Sequence, residues 1–215
     1  MSYYSSVGSV SDPFAQYRTN PTLGFRVEFN GNSTFRGSPG SMIPRDPERG
    51  LDYDAFRDHF DWSCRSGGPF ISFFGEWTRV MRWRRRMVEL RKRNVVVIAV
   101  WLDGLEVFDA SGIARDLGCP ELSWYENEYL LHGGIHGEQH RILAKFRGDD
   151  DLEPVTLSFK DLQFGISLPR DFIRSLGITG SQDIAEAIKR EVYSLTGDET
   201  GVKFEYLLYS MCGLI

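Results

Sequence analysis

Two glutamates separated by one residue, Glu126 and Glu128, have the spacing in this chain that points most directly to chemistry. In a β-strand, residues two apart lie on the same face, so the two carboxylates are expected side by side while Asn127 points away. Adjacent carboxylates repel each other unless a cation lies nearby. Such a pair suits the cleavage of a bond that leaves a positive charge on a sugar. The spacing therefore predicts a site that stabilises a sugar cation.

Two more polar residues precede the carboxylate pair in the chain. Arg26 lies within residues 23–29, whose period-two pattern predicts a first strand, and Ser72 lies within the apolar segment 70–74, a second predicted strand. Each residue alone carries little information, because an isolated Glu-x-Glu is usually the wet face of an edge strand. The order Arg, Ser, Glu-x-Glu on three strands is what makes the set a candidate site.

Hydrophobic periodicity predicts a mixture of helices and strands that would position these residues, and hence an α+β fold. A long Gly-, Ser- and Pro-rich loop is expected at residues 30–50, and loops of that length are often functional. The predicted strands of this part are residues 23–29, 70–74, 94–101 and 140–146, besides the segment with the carboxylate pair, and the predicted helices are residues 52–64, 76–93 and 105–118.

The helix predicted at 76–93 combines an apolar stripe with eight basic residues. We expect it to support the central strand without forming part of the site, with Arg84, Arg85 and Arg86 facing water. The basic face is either a solvated surface or a contact surface for phosphates or an acidic partner. The apolar stripe consists of Trp77, Val80, Met81, Met87 and Val88.

Three segments are predicted along the chain. Residues 1–20 lack periodicity and are expected to be a flexible lead, and residues 21–148 hold all the candidate chemistry. Residues 149–215 are expected to be a mostly helical extension that packs on the main domain, with a strand at 155–159 and helices near 169–176, 181–195 and 203–209.

Composition narrows the function classes. The chain has 215 residues, of which 41% are hydrophobic and 13% aromatic, so it can bury a core. A net charge of −5 makes a nucleic-acid partner unlikely. Three cysteines without metal-type spacing indicate reduced thiols. We expect no signal peptide, no membrane partner and a cytoplasmic location, either resident or as a delivered effector, while the oligomeric state stays open.

The same motifs resemble those of the mono-ADP-ribosyltransferases of the cholera-toxin and heat-labile-enterotoxin type. That family has an Arg on its first strand, a Ser-Thr-Ser strand and a later Glu-x-Glu, matched here by Arg26, Ser72 and Glu126 with Glu128. A Gly-Gly-Ile follows the carboxylate pair in both, here at residues 133–135. The resemblance covers residues 23–147, and a similar pattern also resembles uncharacterised fungal proteins.

The resemblance implies an ADP-ribosyltransferase-like fold, in which two packed, twisted sheets with flanking helices surround an NAD cleft. The implied reaction transfers ADP-ribose from NAD to a protein side chain, with arginine as the acceptor when a Glu occupies the position of Glu126. In these terms Glu128 stabilises the ribose cation, Ser72 orients Glu128, and Glu126 handles the acceptor. Arg26 would hold the ribose or diphosphate. NAD is then the expected co-substrate, with NAD hydrolysis as a side reaction.

Further site residues follow from the same resemblance. The cofactor site would include Val27, Phe73 and His59 beside Arg26 and Ser72, and an exposed loop with Trp124 and Tyr125 would recognise the protein target. No metal is expected. His132, His136 and His140 are four residues apart, but the glycines between them argue against the helix that metal binding at this spacing requires.

Two departures from the family keep alternatives open. Phe73 and Phe74 replace the last two hydroxyls of the Ser-Thr-Ser strand, and Val27 stands where a small residue is usual. One alternative is therefore a catalytically degenerate domain of the same fold that binds a protein or nucleotide. The other is a sugar-cleaving hydrolase that uses Glu126 and Glu128 alone.

Overall fold

The computed structural model describes residues 12–32, 34–35, 40–61, 67–177 and 181–215. It confirms the α+β prediction, since within these residues a seven-stranded antiparallel sheet, a two-stranded hairpin and six helices form the fold. The strands are β1 Arg18–Thr19, β2 Leu23–Glu28, β3 Phe70–Phe74, β4 Val96–Trp101, β5 Val107–Asp109, β6 Glu128–His132, β7 Ile142–Arg147, β8 Leu152–Phe159 and β9 Leu162–Pro169. The helices are α1 Tyr53–Phe60, α2 Trp77–Glu89, α3 Ala110–Asp116, α4 Arg170–Ser175, α5 Ser181–Thr196 and α6 Val202–Met211.

The large sheet consists of two halves that are joined at a single residue pair. Its strand order is β1-β5-β6-β3-β2-β4-β7, and β2 pairs with β3 only at Phe25 and Phe74. By contrast, β2 forms six pairs with β4, and β3 forms five with β6. The two packed sheets that the resemblance implies are not found in that form, because within the described residues the two halves belong to one sheet. Beyond Phe25 no backbone pair joins β2 to β3, and we call this stretch without pairs the opening between the two strands.

Close backbone packing next to this joint explains Gly24. A Cβ atom at this position would lie 2.6 Å from Leu102 Cδ1 and 2.8 Å from Phe73 Cβ. Both distances are shorter than van der Waals contact, so a side chain here would force the two halves of the sheet apart. The joint therefore depends on a residue without a side chain.

Helices and a loop cover opposite faces of the sheet. The apolar side chains of α1 and α3 pack on one half of the first face, and those of α2 pack on the other half, where Trp77 contacts Phe25 and Phe146. The second face is covered by part of the loop between β2 and α1, where Met42 and Ile135 exchange backbone hydrogen bonds of 2.9 and 2.7 Å. The long loop that the sequence predicts therefore packs against the sheet at Met42.

Helix α2 supports the central strands as predicted, but one of its arginines does not face water. Trp77, Val80, Met81 and Met87 are buried in the cluster that also holds the β4 side chains. Arg84 is only 1% exposed and donates hydrogen bonds of 2.6 and 2.7 Å to the carbonyl oxygens of Gly148 and Asp150. Its Nη2 atom also lies 3.6 Å from the Asp150 carboxylate. The expectation that Arg84 is a surface cation is therefore wrong, since it ties α2 to the turn after β7.

The last part of the chain shares its core with the main sheet. Leu157 and Leu168 of the hairpin, Ile188 of α5 and Leu207 of α6 lie in the same buried cluster as the side chains of β2, β4 and α2. The three predicted helices are present, whereas β9 was not predicted and makes this extension less helical than expected. No helix in the described part of the chain is long and apolar enough to cross a membrane.

The second half of the predicted flexible lead is ordered against the sheet, while residues 1–11 lie outside the described residues. Phe14 and Tyr17 are buried in the cluster under α1 and α3. Arg18 and Thr19 form β1 by pairing with Phe108 and Val107. The flexible lead therefore does not extend to residue 20 as expected, because two aromatic anchors precede the strand.

Arg84→Met is expected to lower the free energy of unfolding by about 3 kcal/mol, because two buried carbonyl oxygens and the Asp150 carboxylate lose their cationic partner. The matched control is Arg85→Met on the same helix, where the side chain is exposed and the change should stay within about 0.5 kcal/mol. Urea unfolding of both variants measures the difference. Equal stabilities of the two variants would contradict the buried role of Arg84.

Candidate active site

Arg26 is held rigidly by a buried glutamate, and sequence reasoning did not identify that glutamate as part of the site. Glu28 is 2% exposed and accepts a hydrogen bond of 2.5 Å from Arg26 Nε. It also accepts 2.8 Å bonds from the backbone N–H and the hydroxyl of Thr34. Arg26 and Glu28 are two apart on β2 and so share a face. Because side chains alternate between the two faces of a strand, the spacing of two residues from Arg26 could have identified Glu28 from the sequence.

The guanidinium of Arg26 spans the opening between β2 and β3. Its Nη1 donates a 3.0 Å hydrogen bond to the backbone carbonyl of Ser72, and its Nη2 lies 3.4 Å from the carbonyl of Asn32. A paired strand would satisfy the Ser72 carbonyl with a backbone N–H, but this part of β3 has no ladder partner on β2. The side chain of Arg26 takes the place of that donor. Arg26 therefore contacts the backbone of Ser72. The Ser72 side chain belongs to the other face of the sheet, because Phe74 pairs with Phe25 and Ser72 shares their face while Arg26 does not.

Ser72, His59 and Glu128 form a connected set at the same place. Ser72 lies opposite Leu130, two residues from Glu128, so Ser72 and Glu128 point to the same face. Ser72 Oγ is 3.1 Å from His59 Nε2, and the same nitrogen is 3.8 Å from Glu128 Oε1. The predicted direct hydrogen bond from Ser72 to Glu128 is thus replaced by an arrangement in which His59 lies between them.

Aromatic packing of α1 places His59 beside the sheet. Phe56 of this helix stacks on Phe70 with ring centroids 4.6 Å apart, and Phe60 packs edge-on against Tyr125 at 4.7 Å. Asp52 caps the helix by accepting a 2.6 Å hydrogen bond from the N–H of Ala55. His59 lies between the two aromatic anchors in sequence, so its ring is directed at β3. Its side chain remains 19% exposed, and that of Glu128 remains 12% exposed.

Glu126 does not lie on the strand with Glu128, so the prediction that both share one strand face is wrong. Strand β6 begins at Glu128, and Asn127 has a left-handed backbone with φ of 53°. Asn127 Nδ2 donates a 2.6 Å hydrogen bond to Glu76 Oε1, which fixes this turn at the start of α2. Strand alternation does not apply within a turn. Glu126 is exposed and borders a polar cavity of about 440 Å³ together with Asp109 and Tyr129.

Arg79 of α2 is a second residue that sequence reasoning missed, since the whole basic face was expected to stay away from the site. It donates a hydrogen bond to the backbone carbonyl of Trp124, and its guanidinium lies 5.0 Å from the ring centroid of Phe74. Burial lowers the pKa of Arg79, while the charges of Glu128, Glu76 and Glu126 oppose this shift. Arg79 therefore lies within electrostatic reach of both candidate carboxylates and holds the turn that carries Glu126.

Two predicted cofactor residues are core residues. Phe73 is 0% exposed and packs on the second face of the sheet with Ile71 and Ile98. Val27 is 3% exposed and packs on the opposite face, in the cluster with Trp77. Both side chains are part of the core and not of an exposed surface, which argues against the predicted cofactor-binding roles of Phe73 and Val27. Val27 follows Arg26 and Phe73 follows Ser72 in the chain. Since successive side chains of a strand point to opposite faces, each of the two points away from its polar neighbour.

The predicted target-recognition loop divides into one exposed and one buried aromatic residue. Trp124 is 51% exposed at the end of a short 3-10 turn. Tyr125 is 6% exposed, packs against Phe60, and its hydroxyl lies 3.5 Å from the Phe60 carbonyl oxygen. The burial of Tyr125 argues against its predicted role as a docking residue, whereas the Trp124 side chain is exposed.

The histidines with a spacing of four do not form a cluster of metal ligands. His132 Nδ1 lies 3.0 Å from Glu106 Oε2, and His136 belongs to a capping box with Gln139. Within the described ranges, no group of three or more His, Cys, Asp or Glu side chains could hold a metal ion.

The arrangement combines a fixed guanidinium with a partly buried carboxylate, an imidazole and a hydroxyl. The guanidinium of Arg26, at 15% side-chain exposure, is fixed at one edge of the opening and suits an anionic diphosphate or ribose hydroxyls. Across β3, Glu128 offers a partly buried carboxylate next to an imidazole and a hydroxyl. A carboxylate in such a place stabilises a developing ribose cation more strongly than it would in bulk water.

Comparison with known proteins adds no relative to this description, because no family model, curated protein or solved structure matches the chain significantly.

Glu28→Gln is expected to lower the free energy of unfolding by about 1.5–3 kcal/mol, because one charged acceptor of three hydrogen bonds is replaced by a neutral amide. Glu48→Gln, at an exposed position, is the matched control and should change stability by less than about 0.5 kcal/mol. The check is chemical denaturation of both variants. A Glu28 variant as stable as the control would show that Arg26 does not depend on this carboxylate.

Proposed function

We propose that this chain is an NAD-dependent mono-ADP-ribosyltransferase, which cleaves the bond between nicotinamide and ribose and transfers ADP-ribose to a protein side chain, most suitably arginine. The observation that carries the proposal is the connected set from Arg26 through Ser72 and His59 to Glu128, located where the sheet opens between β2 and β3. The contacts that support the proposal are those of Arg26 with the Ser72 backbone and of His59 with the side chains of Ser72 and Glu128.

Each residue of the set has a distinct role in this proposal. Arg26 binds the diphosphate or the nicotinamide ribose from its fixed position on Glu28. As nicotinamide leaves with the bonding electrons, positive charge develops on the ribose, and the carboxylate of Glu128 stabilises it. His59 lies between Ser72 and Glu128 and keeps the carboxylate aimed at the sugar. The cleft would hold the NAD of an ADP-ribosyltransferase-like fold between the two halves of the sheet.

Glu126 supplies the acceptor side of the reaction. Its exposed position in the turn before β6 lets it meet a substrate side chain that comes from solvent, and there it would accept a proton from the attacking group. Arg79 fixes this turn by its bond to the Trp124 carbonyl. Trp124 is the exposed aromatic residue next to this acceptor position, so it is the suitable contact for a protein target.

A degenerate binding domain is the second candidate, and the strand β3 favours it. Phe73 is buried in the core, so no side chain replaces the middle hydroxyl of a Ser-Thr-Ser strand on the side of the cleft. Such a domain would bind NAD or a protein without cleaving the nucleotide. A sugar-cleaving hydrolase that uses Glu126 and Glu128 as a face-sharing pair has lost its main support, because the two glutamates do not share a strand.

Glu128→Gln is expected to lower NAD hydrolysis and transfer alike by about 100-fold or more, because both need the ribose cation. Glu126→Gln should lower transfer to an arginine analogue much more than it lowers hydrolysis. Release of nicotinamide and labelling of the acceptor from labelled NAD measure the two activities.

Glu121→Gln serves as the control, since Glu121 is an exposed carboxylate of the same loop. It should leave both activities unchanged. Equal losses in the Glu126 and Glu128 variants would contradict the division of roles. Binding of NAD with no turnover by the unaltered protein would support the degenerate binding domain instead.

A further inference from the structure

A continuous group of exposed cations covers the outer side of α2 and the turn that follows it. We define the basic surface as Arg82, Arg85 and Arg86 on the helix, Arg91, Lys92 and Arg93 in the turn, and Leu90 between them, all of which are exposed. The chain as a whole carries a net charge of −5, so this concentration of cations opposes the average charge of the molecule. The cations also extend beyond α2 into the turn that follows it, which a polar helix surface alone would not explain.

The backbone at the end of α2 shows that one of these cations occupies an unfavourable position. The N–H of Arg91 donates to the Val88 carbonyl at 2.8 Å, and that of Lys92 donates to the Met87 carbonyl at 3.0 Å. These two bonds define a Schellman motif, whose left-handed residue is usually glycine. Arg91 occupies it with φ of 55°. The chain therefore places a charged side chain where glycine would be more stable.

Neighbouring carboxylates do not cancel this surface. Glu89 is exposed, and its nearest cation, Arg86, is 4.0 Å away, at the limit of an ion pair. In the acidic turn after β7, Asp149 accepts hydrogen bonds from the N–H groups of Asn94 and Val95. Asp150 in the same turn faces the buried Arg84. The cations on the basic surface outnumber the carboxylates that remain beside it, so the surface keeps a positive potential.

The apolar side chains of this region suit a lipid surface better than a nucleic acid. Leu90 is 50% exposed in the middle of the cations and is aliphatic. The nearby rings of Trp83 and Phe29 are partly buried against the core, and Lys92 covers the Phe29 ring at 5.3 Å. Unpaired bases are bound by stacking on exposed aromatic rings, which this surface does not offer. A surface of exposed cations with one exposed aliphatic residue instead suits a layer of anionic headgroups.

We propose that the basic surface docks on the anionic headgroups of a lipid bilayer. The cations provide the attraction, and Leu90 enters the headgroup layer. This revises the expectation, drawn from the sequence, that no membrane is a partner. The inference does not rest on the proposed enzymatic function, because Arg79 is the α2 side chain near Glu128 and the basic surface begins one turn further along the helix.

The test is co-sedimentation of the full chain with phosphatidylcholine vesicles that contain or lack phosphatidylserine. Binding is expected only to the vesicles with phosphatidylserine, and it should weaken as salt shortens the range of the attraction. Arg82→Glu with Arg85→Glu should lower the partition by about 20-fold or more, since each cation near an anionic bilayer contributes severalfold. Lys189→Glu with Arg190→Glu makes the same change of net charge on the exposed side of α5 and should leave most of the binding.

Arg91→Gly separates a binding role from a structural one. Glycine adopts the left-handed backbone conformation of residue 91 without strain, so the melting temperature should rise by about 2–4 °C. Vesicle binding should fall, because one cation of the basic surface is lost. A rise in stability without a loss of binding would overturn the role of Arg91. Equal loss in the α2 and α5 charge variants, or binding of single-stranded RNA in the absence of any binding to phosphatidylserine vesicles, would overturn the proposal as a whole.

Discussion

The hydrogen bond from Arg26 to the Ser72 carbonyl is the constraint on which the candidate site depends. It is made where the two halves of the sheet cease to pair, so one charged side chain bridges the two strands there. Glu28 accepts a hydrogen bond from the Arg26 side chain, and its carboxylate oxygens also accept hydrogen bonds from Thr34 in the loop that covers the sheet. Because Glu28 is almost completely buried, this charge pair has a single favourable geometry. The loop, the joint and the site are thereby coupled.

Local patterns predicted much of the fold because several elements carry strong periodicity. The strand with Ser72 lies at residues 70–74 as predicted, and the apolar stripe of α2 packs under β4. The predicted helix at 105–118 instead begins with β5, because a three-residue strand is too short to show a period. The single pair between β2 and β3 could not be predicted either, since the pairing of distant strands depends on the packing around Gly24 and not on local pattern.

The sequence predicted several residues of the candidate site correctly, but it did not predict how they are arranged. Ser72, His59 and Glu128 are in contact and Arg26 reaches the Ser72 backbone, whereas Glu126 lies off the strand because Asn127 adopts a left-handed turn. Arg79 and Glu28 were missed for a common reason. A basic residue on a highly charged helix and an acidic residue on a strand both look like surface residues in one dimension, and only tertiary packing reveals that they are enclosed. The same reason explains the mistake over Arg84.

The most direct test of the central claim is a crystal structure of the protein with a non-cleavable NAD analogue. We expect density in the opening between β2 and β3, with the diphosphate or nicotinamide ribose hydrogen-bonded to Arg26 and the ribose within hydrogen-bond distance of Glu128. Density in the polar cavity beside Glu126 and Asp109 alone, or an analogue that contacts neither Arg26 nor Glu128, would rule out the proposed NAD site.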